Sequence, residues 1–147
     1  MYEPEIETPE EELKRADHLV YVSLKYTRTC DVIKNAVKRL VNAYELSMES
    51  YLEYVRKNKK IPEIPASIKE KATLTKKLIG NPIKKYMVLY NLLKRIEKAD
   101  YTATEEFRKN VTLTTKEPNP IKVKVEDLYN YLETTKNFVV FINEKKQ

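Results

Sequence analysis

Glycine is almost missing from this sequence, since Gly80 is the only one among 147 residues. Loops that cradle phosphate groups need glycines where the backbone approaches the ligand, so the sequence excludes a dinucleotide-binding fingerprint and a P-loop. Asn-Gly turns, which join the strands of tight β-hairpins, are missing as well. The long stretches without glycine or proline therefore predict an all-α protein.

Metal-ligating residues are equally scarce, with one cysteine, Cys30, and one histidine, His18. A structural zinc site draws on several such ligands, and these two are spaced for neither one helix face nor a zinc knuckle. The carboxylates Glu45 and Glu49 lack the Glu-x-x-His partner of a bundle di-iron site. We expect no metal and no cofactor, a buried Cys30, and a His18 that lies on a helix near solvent.

Long apolar runs are also missing, because none approaches the roughly 20 residues that span a bilayer. Residues 1–12 carry six glutamates and no basic residue, which is unlike a signal peptide. We therefore expect a soluble, cytoplasmic protein without a membrane partner.

Basic charge is abundant and unevenly placed. The formal net charge is +6, and residues 1–12 contribute −6, so the remaining chain carries +12. Such a surface favours a polyanionic partner, although a lysine-rich solubility coat would look the same in sequence. The candidate residues for binding a polyanion are Lys57, Lys59, Lys60, Lys76, Lys77, Lys84, Lys85 and Arg108.

The chain is predicted to be a single domain over residues 9–147, after a disordered acidic lead over residues 1–8. Thr8 and Pro9 form a helix start, with a capping hydroxyl and a proline at the first helical position. Residues 27–31 are the weakest helical stretch before residue 61, and they predict a break between the first helix and a second helix over about 31–57. One continuous bent helix over this region is the alternative.

The remaining chain predicts a short helix from Ser67 to about residue 79 and a longer one that ends near residue 99. A connection at 100–104 and a short helix opening at Thr104 are expected next. Residues 121–125 alternate like a strand, but because a single strand has no partner they are interpreted as an extended lead-in. The last helix covers about 125–144. The predicted fold is an all-α antiparallel bundle of four longer helices with one or two short ones.

Tyrosine is conspicuous, with eleven residues, most of them on predicted helices. At helical spacing such rings are typical of a core or of an interface between protomers, with the hydroxyl reaching water. Rings beside basic residues can also stack on unpaired bases.

The order of these elements resembles the HEPN superfamily, the higher eukaryote and prokaryote nucleotide-binding domains. Residues 10–26 are similar to the first helix of the family, and the stretch DVIKNAVKRLVNAYEL is similar to its second helix. The stretch EEFRKNVTLTT resembles the motif region of the family, and VEDLYNYLETTKNFVVFINEK resembles its last helix. In the ribonuclease members of the family, an arginine precedes a histidine by four to six residues, shortly before that last helix.

The chain departs from this motif. Arg108 matches the family arginine, but the positions that could hold the histidine are Thr112, Leu113 and Thr114. Arginine can hold a phosphate, whereas leucine and threonine cannot accept a proton at neutral pH. The resemblance thus implies a divergent member without the catalytic pair. It also implies a homodimer and, as in some relatives, a partner such as a minimal nucleotidyltransferase.

Three functions follow from the sequence. The first is a non-catalytic module that binds RNA, a nucleotide or a partner protein. The second is an assembly or scaffold protein that uses tyrosine-rich faces. The third is a divergent metal-independent ribonuclease in which Arg108 acts with Tyr101, His18 or a threonine hydroxyl.

Overall fold

The computed structural model describes residues 7–147 of the chain. Its helices are α1 (Pro9–His18), α2 (Leu24–Tyr26), α3 (Cys30–Lys57), α4 (Ile68–Ile79), α5 (Lys84–Lys98) and α6 (Val125–Lys145). A π-helical turn, Leu19–Ser23, joins α1 to α2, and a 3-10 turn, Asn81–Ile83, precedes α5. The predicted, mostly helical bundle is confirmed. Residues 1–6, the larger part of the expected disordered lead, lie outside the described residues.

Helix α3 forms the centre of the bundle, because α1, α4, α5 and α6 all pack against it. Its buried side chains recur every three or four residues along its whole length, from Cys30 to Val55. The first and last helices run in opposite directions, since Tyr21 packs on Tyr129 at one end and Asn143 reaches Glu10 at the other. Within residues 7–147, no helix is both long and apolar enough to cross a membrane.

Side-chain caps fix where three helices begin. The hydroxyl of Thr8 accepts a hydrogen bond from the backbone N–H of Glu11, and Ser67 does the same at the start of α4. Thr29 caps α3, while Thr27 has φ −132° and ψ 89°, which is not helical. The predicted break between the first two long helices is therefore confirmed, and a single continuous helix is excluded.

The π-helical turn keeps the buried side chains of the first helical segment on one face. Its buried residues Glu12, Ala16, Val20 and Leu24 are spaced four apart, and each such step overshoots a full α-helical turn by about 40°. The Leu24 N–H donates to the Leu19 carbonyl, five residues back, so the turn accommodates one more residue. The extra residue removes much of the drift and keeps one face against the core.

The chain between α5 and α6 forms a small sheet, with strands β1 (Tyr101–Thr104), β2 (Thr112–Thr115) and β3 (Lys122–Val123) in that order. Both pairs are antiparallel, with Thr104 opposite Thr112 and Leu113 opposite Val123. The expected short helix from Thr104 and the partnerless lead-in at 121–125 are therefore wrong. Each of these three segments is too short to predict a strand by itself. Once they pair, the hydrogen bonds between them stabilise all three.

Three hydrogen bonds attach the sheet to the start of α3. The Phe107 N–H donates to the Arg28 carbonyl at 2.7 Å, and the Cys30 thiol donates to the Thr112 carbonyl at 3.3 Å. The Tyr101 hydroxyl donates to Asp31 Oδ1 at 2.6 Å. These contacts fix the loop between β1 and β2 against residues 28–31.

Two pKa values are raised where the sheet meets α3. The hydrogen bond to Asp31 raises the pKa of Tyr101 to about 12, because the carboxylate accepts the proton that ionisation would remove. Burial raises the pKa of the Cys30 thiol to about 11. The expectation of a buried Cys30 is confirmed, and a thiol that keeps its proton at neutral pH acts as a packing group.

Aromatic rings fill the middle of the core. Tyr44 stacks on Phe138 with centroids 4.4 Å apart, and its hydroxyl donates to the Tyr86 carbonyl. Tyr90 donates to Glu45 at 2.7 Å. Burial is the main cause that raises the pKa of Tyr44 and of Tyr90. Much of the tyrosine content therefore serves packing, as one of the two interpretations predicted.

One carboxylate, that of Glu12, is fully buried between α1 and α3. Arg15 donates to it at 3.0 Å, and Arg39 of α3 approaches both of its oxygens at 3.4 Å. A buried charge is tolerated only when it is paired and hydrogen-bonded. This role could not be predicted from the sequence, because Glu12 stands in a run of three glutamates that suits any helix start.

We expect Glu12→Ala to lower the free energy of unfolding by about 2 kcal/mol. It leaves two arginines without their shared carboxylate, and hydrogen bonds to charged groups contribute roughly 1.5–3 kcal/mol. The arginine side chains are about one-third exposed, so water compensates part of the loss. Urea unfolding measures the change. Glu11→Ala, at an exposed neighbouring position, is the control, and an equal effect of both substitutions would contradict a special role for Glu12.

We expect Tyr101→Phe to lower the free energy of unfolding by about 1 kcal/mol at pH 8, through loss of the hydrogen bond to Asp31. The difference from the wild type should shrink between pH 10 and 12. An unfolded tyrosine loses its proton near pH 10, whereas folded Tyr101 holds it to about 12, so the folded state loses stability over that interval. Urea unfolding at pH 8 and pH 11 tests this, with Tyr26→Phe as the exposed control; a pH-independent difference would refute it.

Candidate anion-binding groove

A groove of about 550 Å³ opens at the end of the bundle where α3 begins. Three separate segments border it: residues 20–28, the loop between β1 and β2, and the first turns of α6. Its volume lies in the range of about 300–1,000 Å³ that is typical of sites for small ligands. The hydrogen bond from the Phe107 N–H to the Arg28 carbonyl joins two of these segments. It therefore also sets the width of this groove.

Positive charge dominates the lining of the groove. Lys25, Arg28, Lys109 and Lys124 are its four cations, and Glu126 is the only carboxylate among the described residues that line it. Charges of one sign along a cleft reinforce each other's field and attract an oppositely charged ligand. The groove is therefore suited to an anion.

Local structure explains why these cations converge. Lys25 lies in α2, and Arg28 lies in the non-helical link between α2 and α3, where both side chains border the groove. Lys124 is the residue before α6 and has an extended backbone conformation. The backbone N–H groups in the first turn of a helix have no partner within the helix, and the helix dipole there favours negative charge. Glu126 and Asp127 already supply negative charge in this first turn, and the Asp127 carboxylate accepts the Lys124 N–H, so the positive field of the groove comes from the side chains.

Two tyrosines form the aromatic part of the groove. The rings of Tyr21 and Tyr129 lie 5.0 Å apart with an interplanar angle of 31°. They remain 48% and 40% exposed, unlike the tyrosines of the core. Aromatic faces next to cations can stack on a nucleobase while the cations hold its phosphate. The combination is suited to a ligand that carries both groups.

Arg108 lies next to the groove but does not line it. Its side chain is 77% exposed, and Glu105 in the same loop approaches it at 3.9 Å. Neither Thr112 nor Thr114 can accept a proton in place of a histidine. The Tyr101 hydroxyl is already hydrogen-bonded to Asp31.

The other residues predicted to bind a polyanion lie elsewhere. Lys57 ends α3, with Lys59 and Lys60 after it, whereas the groove lies at the start of this helix. Since α3 has 28 residues with a rise of about 1.5 Å each, its ends are about 40 Å apart.

The remaining lysines also lie away from the groove. Lys84 and Lys85 begin α5, and the Lys85 ammonium lies over the ring of Tyr86, which contacts Phe141 near the end of α6. Lys76 and Lys77 are in the last turn of α4, which a short link joins to α5. The structure therefore separates these lysines from Arg108.

The other candidate residues do not form a reactive site. His18 is exposed on α1, as expected, and it is not among the residues that line the groove. Glu45 accepts hydrogen bonds from Tyr90 and Lys94, and Glu49 pairs with Lys71. No group of three His, Cys, Asp or Glu residues that could hold a metal occurs within residues 7–147.

Sequence reasoning missed the four cations of the groove, because none belongs to a conspicuous basic run. The sequence feature that could have predicted these cations is the pairing of residues 112–115 with 121–123. That pairing indicates a sheet in front of α6, and it brings Lys109 and Lys124 to the same end of the bundle.

Comparisons with known proteins give no relative for this chain. No protein-family model matches it, and neither a curated protein nor a solved structure shows significant similarity to it.

Proposed function

We propose that this chain is a non-catalytic binding module that holds RNA or a nucleotide in the groove at the start of α3. The observation that carries the proposal is the set of four cations around one carboxylate, beside two exposed tyrosine rings. Lysine and arginine recognise phosphate groups, and aromatic faces recognise bases without regard to sequence.

The resemblance to the HEPN superfamily supports this proposal from a different direction. The family places its RNA-facing motif just before the last helix, and the groove lies where α6 begins. Membership of the family, a homodimer and a partner such as a minimal nucleotidyltransferase remain predictions from the resemblance. The mass of the protein in solution, measured by light scattering at micromolar concentrations, tests the dimer.

A binding role fits the groove better than catalysis does. Metal-independent cleavage of RNA needs a group that takes the proton of the 2′-hydroxyl. The described lining of the groove offers one carboxylate and no histidine. Arg108 can contribute charge to an approaching phosphate, but its nearest acidic neighbour, Glu105, is the residue with which it pairs.

We expect RNA binding that weakens with salt and that depends on the groove. Arg28→Ala and Lys124→Ala should each reduce affinity roughly fivefold and make the slope of log K against log salt less negative by about 0.7 per lost phosphate contact. Fluorescence anisotropy with a labelled short RNA measures both. The matched control is Lys76→Ala in the last turn of α4, which removes one charge away from the groove. A larger loss in this control would place binding on the distant lysines instead, and binding that is independent of salt would exclude a phosphate-driven site.

We expect no cleavage when end-labelled RNA is incubated with the protein in the absence of metal. Arg108→Ala should give the same pattern on a gel as the wild type, because no base acts with this arginine. Cleavage by the wild type that disappears in Arg108→Ala would instead establish the divergent ribonuclease.

A further inference from the structure

The loop between β1 and β2 exposes a large apolar ring beside the groove. Phe107 is 75% exposed, although a phenylalanine is normally buried at least in part. Arg108, which is also exposed, and Lys109, which lines the groove, follow it in the loop, while Glu105 and Glu106 precede it. The ring therefore lies next to the two cations that lead from the loop into the groove.

The backbone of this loop holds Phe107 in an unfavourable conformation. Phe107 has φ +65° and Glu105 has φ +57°, in the left-handed region that costs non-glycine residues roughly 1–2 kcal/mol each. The Phe107 N–H, bonded at 2.7 Å to the carbonyl of Arg28, keeps the loop in this form. Strained residues held by their surroundings are concentrated at functional sites.

A second exposed ring lies on the other side of this hydrogen bond. Tyr26 is 81% exposed and precedes Arg28 by two residues. A nucleotide confined to the groove, beside Tyr21 and Tyr129, would contact neither Phe107 nor Tyr26, because neither residue lines the groove. A ligand that uses these rings must extend past Lys109 onto the loop.

We propose that Phe107 is a stacking platform for an unpaired base, so that the ligand is a single strand of several nucleotides that runs from the groove across the loop. This inference rests on the proposed function, and it narrows the ligand to single-stranded nucleic acid rather than a mononucleotide or a duplex. Charge complementarity carries the choice of occupant. Arg28 and Lys109 line the groove, and exposed Arg108 follows the ring directly, so donors for a phosphate backbone continue from the groove onto the loop.

The chain contains no tryptophan, so Phe107→Trp introduces a single fluorescent reporter at the proposed contact. A short oligoadenylate should quench this fluorescence by stacking, whereas inorganic polyphosphate, which has charge but no bases, should bind without quenching. A blunt RNA duplex should not quench, because its bases are paired. Val88→Trp, at a position on α5 that is 72% exposed, is the matched reporter and should not respond to oligoadenylate.

Affinity provides the second measurement. Phe107→Ala should weaken binding of the oligoadenylate on the order of tenfold, as expected for the loss of one stacked base, and should leave binding of adenosine monophosphate unchanged. Phe107→Tyr keeps the aromatic face and should retain the affinity. Circular dichroism of each variant confirms that the bundle is folded.

The outcomes separate this inference from the proposed function. If oligoadenylate binds with the expected dependence on Arg28 and Lys124 but neither quenches Phe107→Trp nor depends on Phe107, the inference is wrong and the groove still binds nucleotides. If the wild type binds no oligoadenylate, the proposed function fails, and the exposed ring is then available for a protein partner. Equal quenching by polyphosphate and oligoadenylate would also overturn base stacking.

Discussion

Helix α3 has to bury apolar side chains along its entire length, and this constraint organises the rest of the molecule. Its 28 residues span about 40 Å, so no single partner can cover it. Helices α1, α5 and α6 share the task with α4, and each contributes its own apolar face. The bundle therefore has two well-separated ends, and functional groups at one end are independent of those at the other.

The groove depends on what happens at the first residue of α3. The helix begins after Thr29, and the chain before it leaves the helical conformation at Thr27. This short break frees the Arg28 carbonyl from helical bonding and lets it accept the N–H of Phe107. The four residues from Arg28 to Asp31 thus cap α3 and hold the small sheet against the bundle. Through the sheet they also determine where the cations of the groove lie.

The sequence contained enough information to predict the helices but not the groove. Caps such as Thr8, Thr29 and Ser67, and the apolar spacing of α5 and α6, are local signals, and they determined where helices begin and which faces are buried. The sheet depends on pairing between strands of only two to four residues, and such short segments have little local preference. The groove takes its cations from segments that are up to a hundred residues apart, so it could not be recognised before the sheet was. The lysine runs that stand out in the sequence, such as Lys57, Lys59 and Lys60 at the end of α3, lie away from the groove.

The π-helical turn makes the groove depend on the number of residues in Leu19–Ser23 as well as on their identity. Deleting one of them would restore an ordinary α-helical turn and rotate everything beyond it by about 100° relative to α1. If Glu12 stayed buried with its arginines, Leu24 would turn away from the core and Lys25 away from the groove. If those two kept their place, the buried carboxylate would face water. The single extra residue therefore keeps Val20 and Leu24 in the same core as Glu12 and Ala16, while Tyr21 and Lys25 border the groove.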